Sequence, residues 1–156
     1  MHLLEFIVEG RRCAIPVAAA ERIHLAVEVT PLANAPDAVQ GLVNVEGRIL
    51  PVISLRRRLG LPDRDPLPGD RMIVAHTSRR SMVLLVDAVP GVLDVDETAY
   101  VSGEALFPDA GSLLGVSQVE GDLLMVEDLE QLLAAEDEPI LAAALENPPH
   151  AAPDAA

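Results

Sequence analysis

The chain contains no lysine and no tryptophan, a single cysteine, and three aromatic residues in all: Phe6, Tyr100 and Phe107. Scarce aromatics leave few platforms on which bases or sugars stack, which argues against single-stranded nucleic-acid binding. A lone Cys13 excludes an internal disulfide and fits a reducing compartment. The longest apolar runs, such as 82–86, fall far short of the ~20 residues that cross a bilayer. Strand-like sequence starts directly after Met1, with no basic leader or cleavage site, so no signal peptide is expected. A cytoplasmic location is the resulting expectation.

Basic residues are missing from a whole half of the chain. All eleven are arginine and none lies beyond Arg80. Residues 1–80 carry nine acidic side chains against those eleven. Residues 81–156 carry sixteen acidic side chains and no basic ones, which gives the formal net charge of −14. Such a surface repels phosphate backbones and anionic lipid, so DNA, RNA and membrane surfaces are poor partners. It either keeps the chain soluble or speeds encounter with a basic protein surface.

Half of the residues are hydrophobic, enough for the core of one domain or of two small lobes. The most informative pattern is an internal echo. Residues 41–59 read Gly41-Leu-Val-Asn-Val-Glu46-Gly47-Arg-Ile-Leu-Pro-Val-Ile-Ser-Leu55-Arg-Arg-Arg-Leu59. Residues 115–133 repeat Gly, Val, Glu, Gly, Leu, Val, Leu and Leu at a constant offset of 74. Each copy predicts a strand, a Glu-Gly turn, a second strand and a short leucine-bearing helix. Gly47 and Gly121 stand where a tight hairpin requires positive φ. Two copies describe a two-lobed domain, since a solenoid needs at least three.

Alternation predicts further strands over Leu3–Val8, Arg12–Ile15, Ile23–Val29, Arg71–Thr77, Ser81–Asp87 and Val92–Val95. Ser54 is placed as the N-cap of a helix over Leu55–Leu59 that Gly60 closes. Leu61–Asp70, with three prolines and three aspartates, is predicted to connect the lobes. Ser102–Gly111 reads as a loop with one helical turn, and Asp128–Ala134 as the second hairpin's helix. About ten short strands with little helix define an all-β fold of small barrels. Residues 1–136 form the domain. A short helix over Pro139–Glu146 and a tail expected to be disordered make up 137–156.

Catalytic signals are thin. His2, His24, His76 and His150 lack metal-ligand spacing and have no second cysteine to join, and no cofactor motif is present. Around Ser117 the sequence misses the final glycine of a nucleophile elbow. Asp94 and Asp96 project from one side of an extended segment, as a carboxylate pair or as a solvated strand end. Arg56, Arg57 and Arg58 form an anion patch or a solvated helix face. The chain is not expected to be an enzyme.

The run Val39-Gln-Gly41-Leu-Val-Asn44-Val-Glu-Gly47-Arg-Ile-Leu-Pro51-Val-Ile-Ser-Leu55 resembles the signature hairpin of CheW-like coupling proteins. Val86-Asp87-Ala-Val89-Pro-Gly-Val92 and Leu114 through Leu133 are similar to that family's second-lobe motifs, and the match covers about residues 3–134. The resemblance implies two five-stranded SH3-like barrels with a hydrophobic groove between them. It further implies a non-enzymatic adaptor that docks chemoreceptor cytoplasmic tips onto the regulatory domain of a CheA-type histidine kinase, part of a two-component signalling system. Carried onto this chain, the partner-binding positions are Ala20, Arg22, Ile23, Val43 and Glu46.

Two positions depart from the family pattern. Where the family has arginine in its Asn-[Leu/Val]-Arg-Gly hairpin, this chain has Glu46; where it has the acid of Val-x-Glu-Ile, this chain has Arg22. An inverted pair facing across the groove accounts for both changes and keeps an ion pair of reversed polarity. Alternatively, Glu46 is an ordinary turn residue, echoed by Glu120, and Arg22 is unrelated. Other functions stay open beside the adaptor: a divergent scaffold of a non-motility pathway that self-associates into rings, a small ligand-binding barrel, or a hydrolase using Asp94, Asp96 or Ser117.

Overall fold

The computed structural model describes residues 1–106, 111, 113–132 and 137–146. In chain order the elements are β1 (His2–Val8), β2 (Arg11–Pro16), β3 (Ala20–Leu25), β4 (Val39–Val45), β5 (Arg48–Ile53), α1 (Leu55–Arg58), β6 (Arg71–His76), β7 (Ser81–Val86), β8 (Ala88–Asp94), β9 (Tyr100–Ser102), α2 (Gly103–Leu106), β10 (Leu113–Val119), β11 (Asp122–Glu127), α3 (Leu129–Leu132) and α4 (Glu138–Glu146). They build a five-stranded sheet in the order β3-β6-β7-β5-β4 and a six-stranded sheet in the order β8-β1-β2-β11-β10-β9. This is the all-β pair of SH3-like barrels expected from the sequence, the sixth strand being the three-residue β9.

Each repeat stays within one sheet, β4–β5 in the five-stranded and β10–β11 in the six-stranded one. The hairpin β1–β2 joins the sheet that holds the second repeat's hairpin, through a parallel pairing of Cys13 with Met125. The hairpin β6–β7 joins the first repeat's hairpin in the same way, Val52 pairing with Val83. Only the six-stranded barrel is split in sequence, taking β1 and β2 from the start of the chain, whereas the five-stranded barrel is contiguous from β3 to β7. The segment 61–70, predicted to join the lobes, instead returns the chain from α1 to β6 within one sheet. The crossings between barrels fall at residues 17–19 and at Asp87. The residue pattern specifies which side chains are buried but not in which sheet a hairpin lies.

Burial explains why several strands are apolar on both faces. On β6, Met72 and Val74 face the interior of the five-stranded barrel, while Ile73 and Ala75 face the other barrel. The same period of two sends Leu3 and Ala14 into the six-stranded barrel and Leu4, Phe6, Val8, Cys13 and Ile15 into the shared core. Among the described residues three cores result: one in each barrel and a larger one between them. Leu141 of α4 is fully buried in the shared core, whereas its neighbour Ile140 is exposed.

The repeated glycine Gly41/Gly115 has a packing cause. A Cβ at Gly115 would lie 2.2 Å from Cζ of Tyr100, and one at Gly41 would lie 2.4 Å from the Thr30 carbonyl oxygen. Each glycine lets the element that closes its barrel lie flat on the hairpin. Thr30 bridges Leu42 there, and β9 pairs with β10. At the hairpin tips, Glu9, Glu46 and Glu120 have positive φ, as do the glycines that follow them. Positive φ at both central residues is the type I′ turn, which matches strand twist.

Ser54 caps α1 as expected, its Oγ accepting from the Arg57 N–H at 3.2 Å. Strand β8 starts at Ala88, four residues before the expected strand over Val92–Val95, and runs through Pro90 and Gly91, which an edge strand tolerates. The tail beyond residue 146, expected to be disordered, lies outside the described residues.

Candidate functional site

Strand β3 starts at the corner 17–19 and runs along the edge of its sheet, facing the tip of the β4–β5 hairpin. Arg22 Nη1 donates to both carboxylate oxygens of Glu46, at 2.9 and 2.6 Å. The pair inferred from two departures in sequence is thus a direct ion pair. More than half of each side chain is exposed, so the pair presents its charges to whatever docks beside it.

A second pair, missed at the level of sequence, stands beside it with opposite order. Arg48 Nη1 donates to Glu21 Oε1 at 3.1 Å, and Ser81 Oγ donates to Glu21 Oε2 at 2.8 Å. These hydrogen bonds, from Ser81 and then Arg48, hold the Glu21 carboxyl below its ordinary range. Together the two pairs lace β3 to the hairpin tip and close the barrel mouth. Their signal was the order Glu21-Arg22 set against Glu46-Gly47-Arg48, an acid–base alternation on both sides of the contact.

Of the other expected positions, Ala20 is half-buried at the rim of the shared core and Ile23 is exposed. Val43 is not on a surface. It is buried inside the five-stranded barrel among Leu50, Met72 and Val83, because its parity on β4 points inward.

Of the three consecutive arginines, Arg57 and Arg58 are exposed as on a solvated face, but all three face carboxylates and none is a free anion site. Arg56, only 11% exposed, reaches Glu9 at 2.5 Å and Asp87 at 2.8 Å. Arg57 pairs with Asp63 at 2.6 Å and also donates to the Asp37 carbonyl. Arg58 approaches Glu127 at 3.7 Å. Asp87, at a crossing between barrels, also accepts from Arg64 at 2.9 Å and from the Glu9 backbone N–H at 2.8 Å. Arg64 in turn holds buried Asp70 at 2.6 Å. Burial pushes the Asp70 carboxyl up, but the Arg64 and Leu67 N–H hydrogen bonds prevail and hold it below its ordinary value.

The residues considered for hydrolysis have structural work. Asp96 accepts from the backbone N–H and hydroxyl of Thr98, both at 2.9 Å, and so caps a helical turn. Asp94 faces the N-terminal ammonium at 3.4 Å. Ser117 is fully buried, donating to the Ala99 carbonyl at 3.1 Å. Among the described residues, no group of three or more His, Cys, Asp or Glu could hold a metal ion. Cys13 is buried, and desolvation followed by the Glu127 carboxylate pushes its thiol up to about 12. No helix among the described residues is long and apolar enough to cross a membrane.

Two interlocked barrels with an exposed, ion-paired rim define a protein of the adaptor class, whose work is done by surfaces. Residues 2–137 match the CheW-like domain, and the chain belongs to that family of non-enzymatic chemotaxis coupling proteins, scaffolds of chemosensory signalling. It is 28% identical over 137 residues to the chemotaxis protein CheW of Rhizobium meliloti, covering 86% of this chain and 88% of that one. Chemotaxis protein CheW of Bacillus subtilis is 27% identical over 136 residues, covering 86% and 87%. The scaffolding protein TtCheW of Thermoanaerobacter tengcongensis has a similar crystal structure, with a TM-score of 0.75 at 21% identity, covering 87% of this chain and 94% of that one.

Proposed function

We propose that this chain couples the cytoplasmic tip of a chemoreceptor to the regulatory domain of a CheA-type histidine kinase, in the cytoplasm, through its 1–136 domain. The receptor-facing surface comprises Arg22, Ile23 and Glu46, with Ala20 at its rim. The observation that carries this reading is the exposed Arg22–Glu46 pair, at 2.6 Å, next to an exposed isoleucine. An apolar contact gives affinity, and charges beside it select the partner by penalising like charges.

A divergent scaffold with altered receptor choice is the second reading, favoured by the reversed order of that pair. A receptor suited to the usual order meets like charges at both positions here. Charge segregation supports self-association into rings within either reading. Residues 17–86 hold nine arginines against seven acids, whereas the rest of the chain holds two arginines against eighteen acids. Unlike barrels from neighbouring copies therefore attract.

Co-sedimentation with a kinase regulatory domain and a receptor tip tests the proposal. Ternary assembly is the expected result. Exchanging the pair (Arg22→Glu with Glu46→Arg) is expected to change receptor preference and leave kinase binding intact. Kinase binding without receptor binding favours the divergent scaffold, and binding to neither overturns both readings.

A further inference from the structure

Beyond the ion-paired end, β3 and its extension carry an aliphatic stripe to a second, pre-built feature. Ile23, Leu25 and Val27 alternate outward and are 46%, 65% and 44% exposed. Ala26 and Val29, between and beyond them, pack toward the barrel core. From Ile23 to Val27 this edge carries no proline and no charged residue, and its bulge lies earlier, between Ala20 and Arg22. Bulges, prolines and charges are the devices that normally stop an edge from pairing with another chain.

The stripe ends in a cleft of about 470 Å³ between residues 26–29 and 65–68. Its far wall is Pro66, Leu67 and Pro68, with Leu67 52% exposed. This wall is held in place from below. Asp70 accepts from the Leu67 N–H at 2.8 Å, takes both Arg64 nitrogens at 2.6 and 3.2 Å, and its carbonyl accepts from Ala26 at 3.1 Å. A buried carboxylate thus fixes a loop whose leucine stands in water, which lowers the ordering cost of binding there. Glu28 and Asp65 line the same cleft, and both are exposed carboxylates without an ion-pair partner among the described residues.

We propose that this stripe and cleft dock an extended segment of a protein partner that carries alternating aliphatic side chains followed by lysine or arginine. The aliphatic side chains cover Leu25, Val27 and Leu67, and the cation sits between Glu28 and Asp65. Strand addition to an exposed edge, with side-chain pockets setting specificity, is an established mode of peptide recognition. The surface continues from Ile23, but the inference stands apart from the adaptor reading because its test needs neither receptor nor kinase.

The probe is an acetylated and amidated Val-Thr-Val-Thr-Val-Lys-Lys peptide, compared at low salt with its Glu-Glu counterpart, titrated into the isotope-labelled full chain. The expected result is amide shift changes confined to residues 25–29 and 65–68, with the lysine peptide binding about three- to tenfold tighter. Replacing Glu28→Gln together with Asp65→Asn is expected to erase that preference, and Leu67→Ser to weaken both peptides. Equal response to the two peptides, or changes centred elsewhere, overturns the proposal. So does a dimer by sedimentation that Leu67→Ser dissolves, since it assigns the surface to a second copy of the chain.

Discussion

Arg56 and Asp87 meet at 2.8 Å where the chain crosses between the barrels, so the helix of one barrel is pinned to the strand that leaves for the other. The same arginine holds Glu9 on the β1–β2 turn, and the same aspartate holds Arg64. Removing either side chain takes a charged contact from a partly buried partner, which keeps its other one: Arg64 for Asp87, Glu9 for Arg56 and Asp70 for Arg64.

Asp87→Ala is therefore expected to destabilise the protein by about 2–3 kcal/mol, because Arg56 and Arg64 lose a shared acceptor. Thermal unfolding checks this, with a fall in Tm of roughly 5–10 °C for a chain of this size. Asp94→Ala, at an exposed strand end, is expected to leave Tm within a degree or two and serves as the control.

Gly115→Ala is expected to destabilise by about 1–3 kcal/mol, because the new methyl meets the Tyr100 ring. Pairing it with Tyr100→Val is expected to recover part of that loss, which a denaturant melt of the three variants measures. Gly41→Ala has no such rescue, since its obstacle is the Thr30 backbone oxygen.

Lowering the pH is expected to release the wall formed by residues 65–68. Asp70 has a folded pKa below its ordinary value of about 3.9. Its contribution is therefore complete above that ordinary value and is lost as pH falls through the folded one. In thermal melts from pH 6 to pH 2, Asp70→Asn is expected to be less stable than wild type at the upper end. The gap is expected to close toward the acid end; a constant gap would show that the carboxylate charge is irrelevant.

Much of the site and fold was legible because it rests on local chemistry. The Glu-Gly hairpins and the Ser54 cap follow from residue types whose geometry is fixed within a few positions, whereas the Arg22–Glu46 pair, 24 residues apart, was legible only as two coupled departures from the CheW-like pattern. What escaped depends on pairing over distance. Arg56 read as solvated because Glu9 and Asp87 are remote in sequence. Val43 read as surface because strand parity, without the sheet order, does not say which face a barrel encloses. The joining of β1–β2 to the last strands of the chain was invisible for the same reason.

Cys13 is expected to resist alkylation in the folded protein near pH 8, since its thiol is buried and scarcely ionised there. Iodoacetamide labelling followed by mass spectrometry is expected to modify it only after denaturation. Labelling of the native chain at the rate of a free thiol would show that the junction of β2 with β11 opens.

That junction also sets an order of events during synthesis. The five-stranded barrel is contiguous from β3 to β7, so all its strands are made before β8 through β11. The β1–β2 hairpin is made first yet has no sheet to join until β8 through β11 follow it. In the folded protein its apolar face, Leu4, Phe6, Val8 and Ile15, packs in one core with Ile73, Met82 and Leu84 of that barrel. The last strands translated thus flank the first on both sides, β8 beside β1 and β11 beside β2, so the six-stranded sheet cannot close until the chain is nearly complete.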